Sequence, residues 1–186
     1  SKGLDLANDS ELAQLNQTAQ QFAKHQWSAA PMGEHFQTND AVAPQSIINP
    51  ARHTDVVGYV QEATTEQVEQ ALNNAQAVQD IWARTAKDTR ASYLLRAADL
   101  MEARLEELMV LLCRESGKTY ANAIAEVREA VDFLRYYATQ MIDLDANAEV
   151  EPLGTMLCIS PWNFPLAIFT GQVAAALVAG NTVIAK

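Results

Sequence analysis

Asn163 and Lys186 are a primary amide and a cation that could meet an anionic or carbonyl oxygen. Each follows a short apolar run. Thr155-Met156-Leu157-Cys158-Ile159 is short enough for a buried strand and is broken by Ser160-Pro161-Trp162-Asn163. From Phe164 to Val178 apolar and small residues suit a helix packed on a sheet. Asn163 is its expected N-cap, and Pro165 falls in the first turn, where a missing N–H does no harm. Gly180 sits where a C′ glycine would stop that helix, and Thr182-Val183-Ile184-Ala185 reads as a second buried strand. Strand, helix, strand predicts a βαβ unit with parallel strands and a right-handed crossover. Ligands of open α/β sheets gather beyond the carboxyl ends of such strands. The pattern therefore brings Ser160 to Asn163 and Lys186 to one edge. There they lie beside a helix N-terminus whose free N–H groups favour anionic or carbonyl oxygens. The same residues also suit a structural cap and a solvated lysine, so spacing alone leaves both readings open.

Other candidates carry less chemistry. Glu126 and Glu129 stand three apart on a helical pattern and project from one side, which reads as a solvated face with Arg128 and Arg135 nearby. Cys113 lies in an apolar stripe and Cys158 inside a strand, surroundings that make a thiol inert. His25, His35 and His53 have no acid or nucleophile beside them and read as loop residues. Gly117-Lys118-Thr119 mimics the end of a phosphate-binding loop. That loop needs a glycine where Leu112 stands and a strand where the pattern is helical, so the reading fails. No metal-ligand spacing is present.

The elements that must position these residues follow from periodicity. Asn8 to Lys24 is a helical pattern capped by Asp9 or Ser10, and Gln26 to Pro44 reads as loop. Ile47 to Pro50 and Val56 to Val60 predict two strands around a turn at Ala51 to Asp55. Thr64 and Gln67 form a capping box before a helix with the stripe Val68, Leu72, Ala75, Val78 and Trp82. A second helix runs from Asp88 or Thr89 to Gly117. A third starts at Thr119, with Ile124, Val127, Val131, Leu134 and Ala138 on one face. Met141 to Pro152 is polar and reads as a ribbon.

Of the 186 residues, 49% are hydrophobic, and the formal charge is −10. That charge, without a basic stripe, argues against nucleic acid and against an anionic membrane surface. No apolar run reaches the ~18 residues of a membrane span, and the amino terminus lacks a signal-peptide core. A cytoplasmic setting is expected.

Pro161-Trp162-Asn163-Phe164-Pro165-Leu166, then Gly180-Asn181 and Lys186, resembles the signature of the NAD(P)-dependent aldehyde dehydrogenase superfamily. Asn49-Pro50 with Val56-x-Gly58-x-Val60 resembles the start of such a domain, and Glu115 to Lys118 a helix junction within it. The opening Ser1-x-Gly3-Leu4-Asp5-Leu6-Ala7-Asn8, with Leu12-Ala13-x-Leu15, is similar to the bifunctional proline utilization family. That family joins a proline dehydrogenase to a pyrroline-5-carboxylate dehydrogenase. The resemblance implies an α/β fold: the N-terminal part of an aldehyde dehydrogenase, a truncated Rossmann-like parallel sheet with flanking helices. It divides the chain into an N-terminal arm, 1–45, and part of an NAD-binding domain, 46–186, with 141–152 as an oligomerisation ribbon of a homodimer. It implies that Asn163 donates its amide to the oxyanion of a thiohemiacetal. Ile159, Ser160, Pro161, Trp162, Asn163 and Lys186 contact the cofactor, NAD, with Lys186 on the adenosine ribose. Phe164 borders the aldehyde tunnel, and Glu129 faces the α-ammonium of the substrate, L-glutamate γ-semialdehyde. Many members carry Lys where this chain has Gln172, so that position takes no role.

Aldehyde oxidation needs a nucleophile, a hydride acceptor and a base that activates water. The family's catalytic Cys and general-base Glu lie downstream of the Lys matched by Lys186. The expectation is therefore a chain that holds the oxyanion and part of the cofactor but cannot complete the reaction, with any FAD site in an upstream module. Another semialdehyde dehydrogenase, or a non-catalytic assembly module of the same fold, are the alternatives.

Overall fold

The computed structural model describes residues 1–33, 42–145 and 150–186. In chain order its elements are α1 (Asp9–Gln21), β1 (Trp27–Ala29), β2 (Gln45–Asn49), β3 (Arg52–Val60), α2 (Thr65–Arg84), α3 (Lys87–Ala103), α4 (Leu105–Ser116), α5 (Tyr120–Asp143), β4 (Met156–Cys158), α6 (Ala167–Val178) and β5 (Val183–Ala185). They fall into two compact units. One comprises Lys2–Val68 and Arg104–Ala125; the other comprises Ser1, Glu69–Ala103 and Glu126–Lys186.

In the first unit β3 is the central strand of a three-stranded sheet, parallel to β1 and antiparallel to β2. Helix α4 packs against β2, β3 and α1, burying Leu15, Met109, Val110 and Leu112. Gly58 lets β1 approach: a Cβ there would sit 2.1 Å from the Trp27 carbonyl oxygen. Arg114, buried on α4, reaches Asp55 with two nitrogens and the carbonyls of Phe22 and His25 with a third. One guanidinium thus ties β3 to the end of α1 and the approach to β1.

In the second unit β4 and β5 form a two-stranded parallel sheet, with α6 packed on both strands and α3 on α6. The α5 face of Val127, Val131, Leu134 and Ala138 is buried as its period requires. Gly171 of α6 faces Phe133, whose ring would stand 2.9 Å from an added Cβ. The expected strand–helix–strand unit is present, as are the Thr64–Gln67 box and a helix starting behind Thr119.

Several expectations are corrected. Asn8, not Asp9 or Ser10, caps α1, its Oδ1 accepting from the N–H of Ser10 at 2.9 Å. Gln26 to Pro44 is not all loop, because Trp27–Ala29 pairs with β3. His53 lies on β3 rather than in a turn. The long second helix is two helices, broken at Arg104, whose guanidinium forks onto Glu107. The α2 stripe is not core: Ala75 is buried, but Val68, Leu72 and Val78 are exposed. Residues 141–143 end α5 rather than begin a ribbon. Residues 146–149 of that segment, and His35, lie outside the described residues. Among the described residues no helix is long and apolar enough to cross a membrane.

Candidate active-site edge

Parallel pairing of β4 and β5 sets Met156 opposite Val183 and Cys158 opposite Ala185. The ladder then continues past both strands. The Lys186 N–H donates to the Cys158 carbonyl at 2.8 Å, and the Ser160 N–H donates to the Lys186 carbonyl at 3.0 Å. Residues 26 apart in sequence thus share the carboxyl edge of the sheet.

The chain leaves this edge through Pro161 to Leu166. The Phe164 N–H folds back onto the Pro161 carbonyl at 3.3 Å, a turn that displays Trp162, Asn163 and Phe164 at the surface. Trp162 is 86% exposed, and Ile159 and Lys186 are also open to solvent. The edge therefore offers apolar surface, a primary amide and a cation within one short segment of sheet.

Helix α6 begins three residues later than expected, at Ala167, and Asn163 is not its cap. Glu126 takes that role from α5, 40 positions away. One of its carboxylate oxygens accepts the N–H groups of Leu166 at 2.9 Å and Ala167 at 3.3 Å. Glu126 is only 2% exposed, so it belongs to no solvated face; Glu129, one turn along, does. An anion at a helix N-terminus satisfies donors that otherwise have no partner and complements the helix dipole. The consequence for chemistry is direct. Two of the N–H groups expected to receive a ligand oxygen are already occupied by Glu126, while the Asn163 side-chain amide lies exposed on the turn before them.

The far end of α6 is held as firmly. Gly180, at φ 92°, donates to the Leu177 carbonyl and Asn181 to the Ala176 carbonyl, the paired bonds of a Schellman ending. The buried Asn181 side chain accepts from the Gly154 N–H at 3.0 Å and donates to the Ala176 carbonyl at 3.1 Å. Gln79 and Arg90, which no sequence motif singles out, and Trp82 of the predicted apolar stripe complete the brace. Gln79 bonds the Gly180 carbonyl and both the N–H and hydroxyl of Thr182. Trp82 donates to the Leu177 carbonyl at 2.9 Å, and Arg90 to that of Val178 at 2.9 Å. Arg90 also donates to the carbonyls of Ala83 and Thr85, and burial lowers its pKa from the ordinary arginine value. Its partners are helix-end carbonyls, where a cation is favoured. Trp82 carried the signal of the apolar stripe, whereas Gln79 and Arg90 are polar residues within helical patterns and carried no other.

Neither cysteine suits a nucleophile. Burial pushes both the Cys113 and the Cys158 thiol above the ordinary value, away from the thiolate. Gly117, at φ 66°, ends α4, so Gly117-Lys118-Thr119 is a helix junction with no strand before it. Among the described residues no group of three His, Cys, Asp or Glu side chains could hold a metal ion.

Residues 36–186 match the sequence profile of the aldehyde dehydrogenase family. The whole chain is 55% identical to part of the bifunctional protein PutA of Escherichia coli (strain K12), of which it spans 14%. Over 97% of its length it is 38% identical to 1-pyrroline-5-carboxylate dehydrogenase of Anoxybacillus flavithermus, of which it spans 37%. A crystal structure of 1-pyrroline-5-carboxylate dehydrogenase from Thermus with bound NAD superposes on 98% of the chain with a TM-score of 0.89 at 29% identity. The chain covers 38% of that protein.

Proposed function

We propose that this chain, which belongs to the aldehyde dehydrogenase family, supplies the oxyanion donor and part of the cofactor surface of an NAD-dependent L-glutamate γ-semialdehyde dehydrogenase. The observation that carries this is the displayed turn, with Asn163 exposed at the shared edge of β4 and β5. The overall reaction consumes aldehyde, water and oxidised cofactor and yields carboxylate, reduced cofactor and protons.

Each residue has a part. When a nucleophile adds to the aldehyde carbon, the carbonyl π pair moves to oxygen, and the Asn163 amide N–H donates to that oxyanion. A preorganised donor gains nothing in the ground state that it does not exceed in the transition state, which is why it raises rate. Ile159, Ser160, Pro161 and Trp162 present a surface for a planar ring and its ribose, and Lys186 a cation for ribose hydroxyls. Bound there, NAD would supply the hydride acceptor. Two exposed apolar side chains and a lysine, on main chains tied by the Ser160–Lys186 bond, fit such a ligand. Phe164 would border the aldehyde path, and the exposed Glu129 would face the substrate ammonium.

NAD rather than NADP is supported by the Thermus relative, crystallised with NAD. The nucleophilic thiolate and the base are assigned to the remaining length of the relatives, since both thiols here are buried against ionisation. We place the cofactor-domain portion at 46–186, the arm at 1–45, any FAD in another module, and the parent enzyme in the cytoplasm as a homodimer. These assignments rest on family likeness.

The test is NADH formation by the full-length parent protein, comparing glutamate γ-semialdehyde with succinate semialdehyde and NAD with NADP. Preference for the first of each pair supports the reading. Preference for succinate semialdehyde moves the substrate, and silence with every aldehyde removes the enzymatic reading in favour of an assembly module.

A further inference from the structure

The segment from Ser160 to Ala167 is a short span pinned at both ends. At its start, the Ser160 N–H is held by the Lys186 carbonyl at 3.0 Å. At its end, the N–H groups of Leu166 and Ala167 are both held by Glu126 Oε1, at 2.9 and 3.3 Å. Asn163 lies between the two anchors. The first anchor is ordinary sheet ladder. The second is a buried carboxylate brought by a different helix, α5, into the place where α6 has no side-chain cap of its own.

A buried carboxylate is a costly device for capping alone. Ser, Thr, Asp or Asn at the cap position does the same with less burial. What Glu126 does that a local cap would not is fix α6 and the turn before it to α5. It also takes up the helix N-terminal donors, so an incoming oxyanion is not drawn toward them. We infer that Glu126 is a positioning residue for the proposed dehydrogenase reaction, setting the placement of the Asn163 amide through the Leu166 and Ala167 N–H groups. This rests on the reading of Asn163 as the oxyanion donor. Oxyanion stabilisation depends steeply on placement, since a displacement of about 1 Å can cost on the order of 100-fold in rate.

The experiment is a double-mutant cycle in the full-length parent protein, with Glu126→Met, Glu126→Gln, Asn163→Ala and Glu126→Met combined with Asn163→Ala. Methionine keeps the length and bulk of the side chain and removes both acceptors. Glutamine keeps one acceptor oxygen and guards against a variant that merely fails to fold. Glu126→Met should lower kcat on the order of tenfold or more, with little change in KM for NAD. Glu126→Gln should stay within a few-fold of the parent. In the Asn163→Ala background Glu126→Met should cost almost nothing further, because the group it positions is gone. Amide hydrogen exchange at Leu166 and Ala167 should quicken in Glu126→Met and much less in Glu126→Gln. If the two losses multiply, or if glutamine is as damaging as methionine, the inference is overturned while Asn163 keeps its role. If Asn163→Ala leaves kcat unchanged, the reading of Asn163 falls first, and Glu126 then caps a helix and positions nothing catalytic.

Discussion

Arg114 and Asp55 form a two-point ion pair, with guanidinium nitrogens 2.6 and 3.2 Å from the two carboxylate oxygens. The same guanidinium donates to the carbonyls of Phe22 and His25 and lies over the Trp27 ring, 5.3 Å from its centroid. Removing one partner of a buried pair leaves the other desolvated without compensation, which costs about 3–5 kcal/mol. Asp55 is partly exposed, so the lower end applies to it. Arg114→Leu should lower the urea midpoint by an amount worth about 3 kcal/mol, and Asp55→Asn by less. An unchanged midpoint for Arg114→Leu would show that the network contributes nothing net.

The same pair predicts a pH dependence. Hydrogen bonds from Arg114, then from Asn49, hold the Asp55 carboxyl below its ordinary range. A carboxylate with a lowered folded pKa stabilises fully above its unfolded pKa, about 3.9, and loses that contribution as pH falls through the folded value. The stability difference between the parent chain and Asp55→Asn should therefore be flat through neutral pH and shrink only below about pH 4. Urea titrations at a series of pH values measure it. A difference that shrinks between pH 8 and 6 would point to another group.

Gly180 adopts φ 92°, with Pro152 and Arg90 atoms about 3.5 Å from where a Cβ would lie. Gly180→Ala should destabilise by roughly 1–3 kcal/mol through backbone strain and lower the thermal midpoint by several degrees. An alanine tolerated without loss would mean that the end of α6 can re-form without its left-handed residue.

Gln79 is the one side chain that grips both sides of the α6–β5 junction among the described contacts, through Gly180 and Thr182. Gln79→Leu strands the Gly180 carbonyl and the Thr182 N–H, while the Thr182 hydroxyl keeps Thr155 as a partner, and should cost about 2 kcal/mol or more. Gln79→Glu, which keeps the acceptor but not the donor, should lie between. The order of the urea midpoints checks this, and a leucine variant as stable as the parent chain would refute it.

Much of this architecture was legible from the residues. The Thr64–Gln67 box, the buried period of α5 and the apolar run, break and apolar run around α6 each carry a local signal that the packing obeys. What was illegible came from partners far along the chain. Trp27 to Ala29 has three residues and becomes a strand only by lying against Gly58. Glu126 looks like half of a solvated acidic pair until α6 arrives above it. The stripe of α2 has core spacing, yet Val68 and Val78 stay exposed, because period reports which face is apolar and not what covers it. At the candidate site the motif residues carry a local signal, but their support, Gln79, Trp82, Arg90 and Glu126, consists of polar groups whose partners are mostly main-chain atoms distant in sequence. Periodicity carries no trace of such bonds.

Thiol chemistry separates this chain's cysteines from any catalytic one. Both are raised in pKa by burial. Cys113→Ala and Cys158→Ala in the full-length parent protein should leave kcat for glutamate γ-semialdehyde within about twofold, and neither thiol should react quickly with a disulfide reagent at neutral pH. Loss of turnover in either variant that remains folded would place the nucleophile here.

The most direct test of the account is the rate of NADH formation by the full-length parent protein carrying Asn163→Ala. Removing a preorganised oxyanion donor should lower kcat by about 100- to 1,000-fold, with KM for NAD little changed. A variant that turns over glutamate γ-semialdehyde at the parent rate would contradict the account and leave the displayed turn as structure alone.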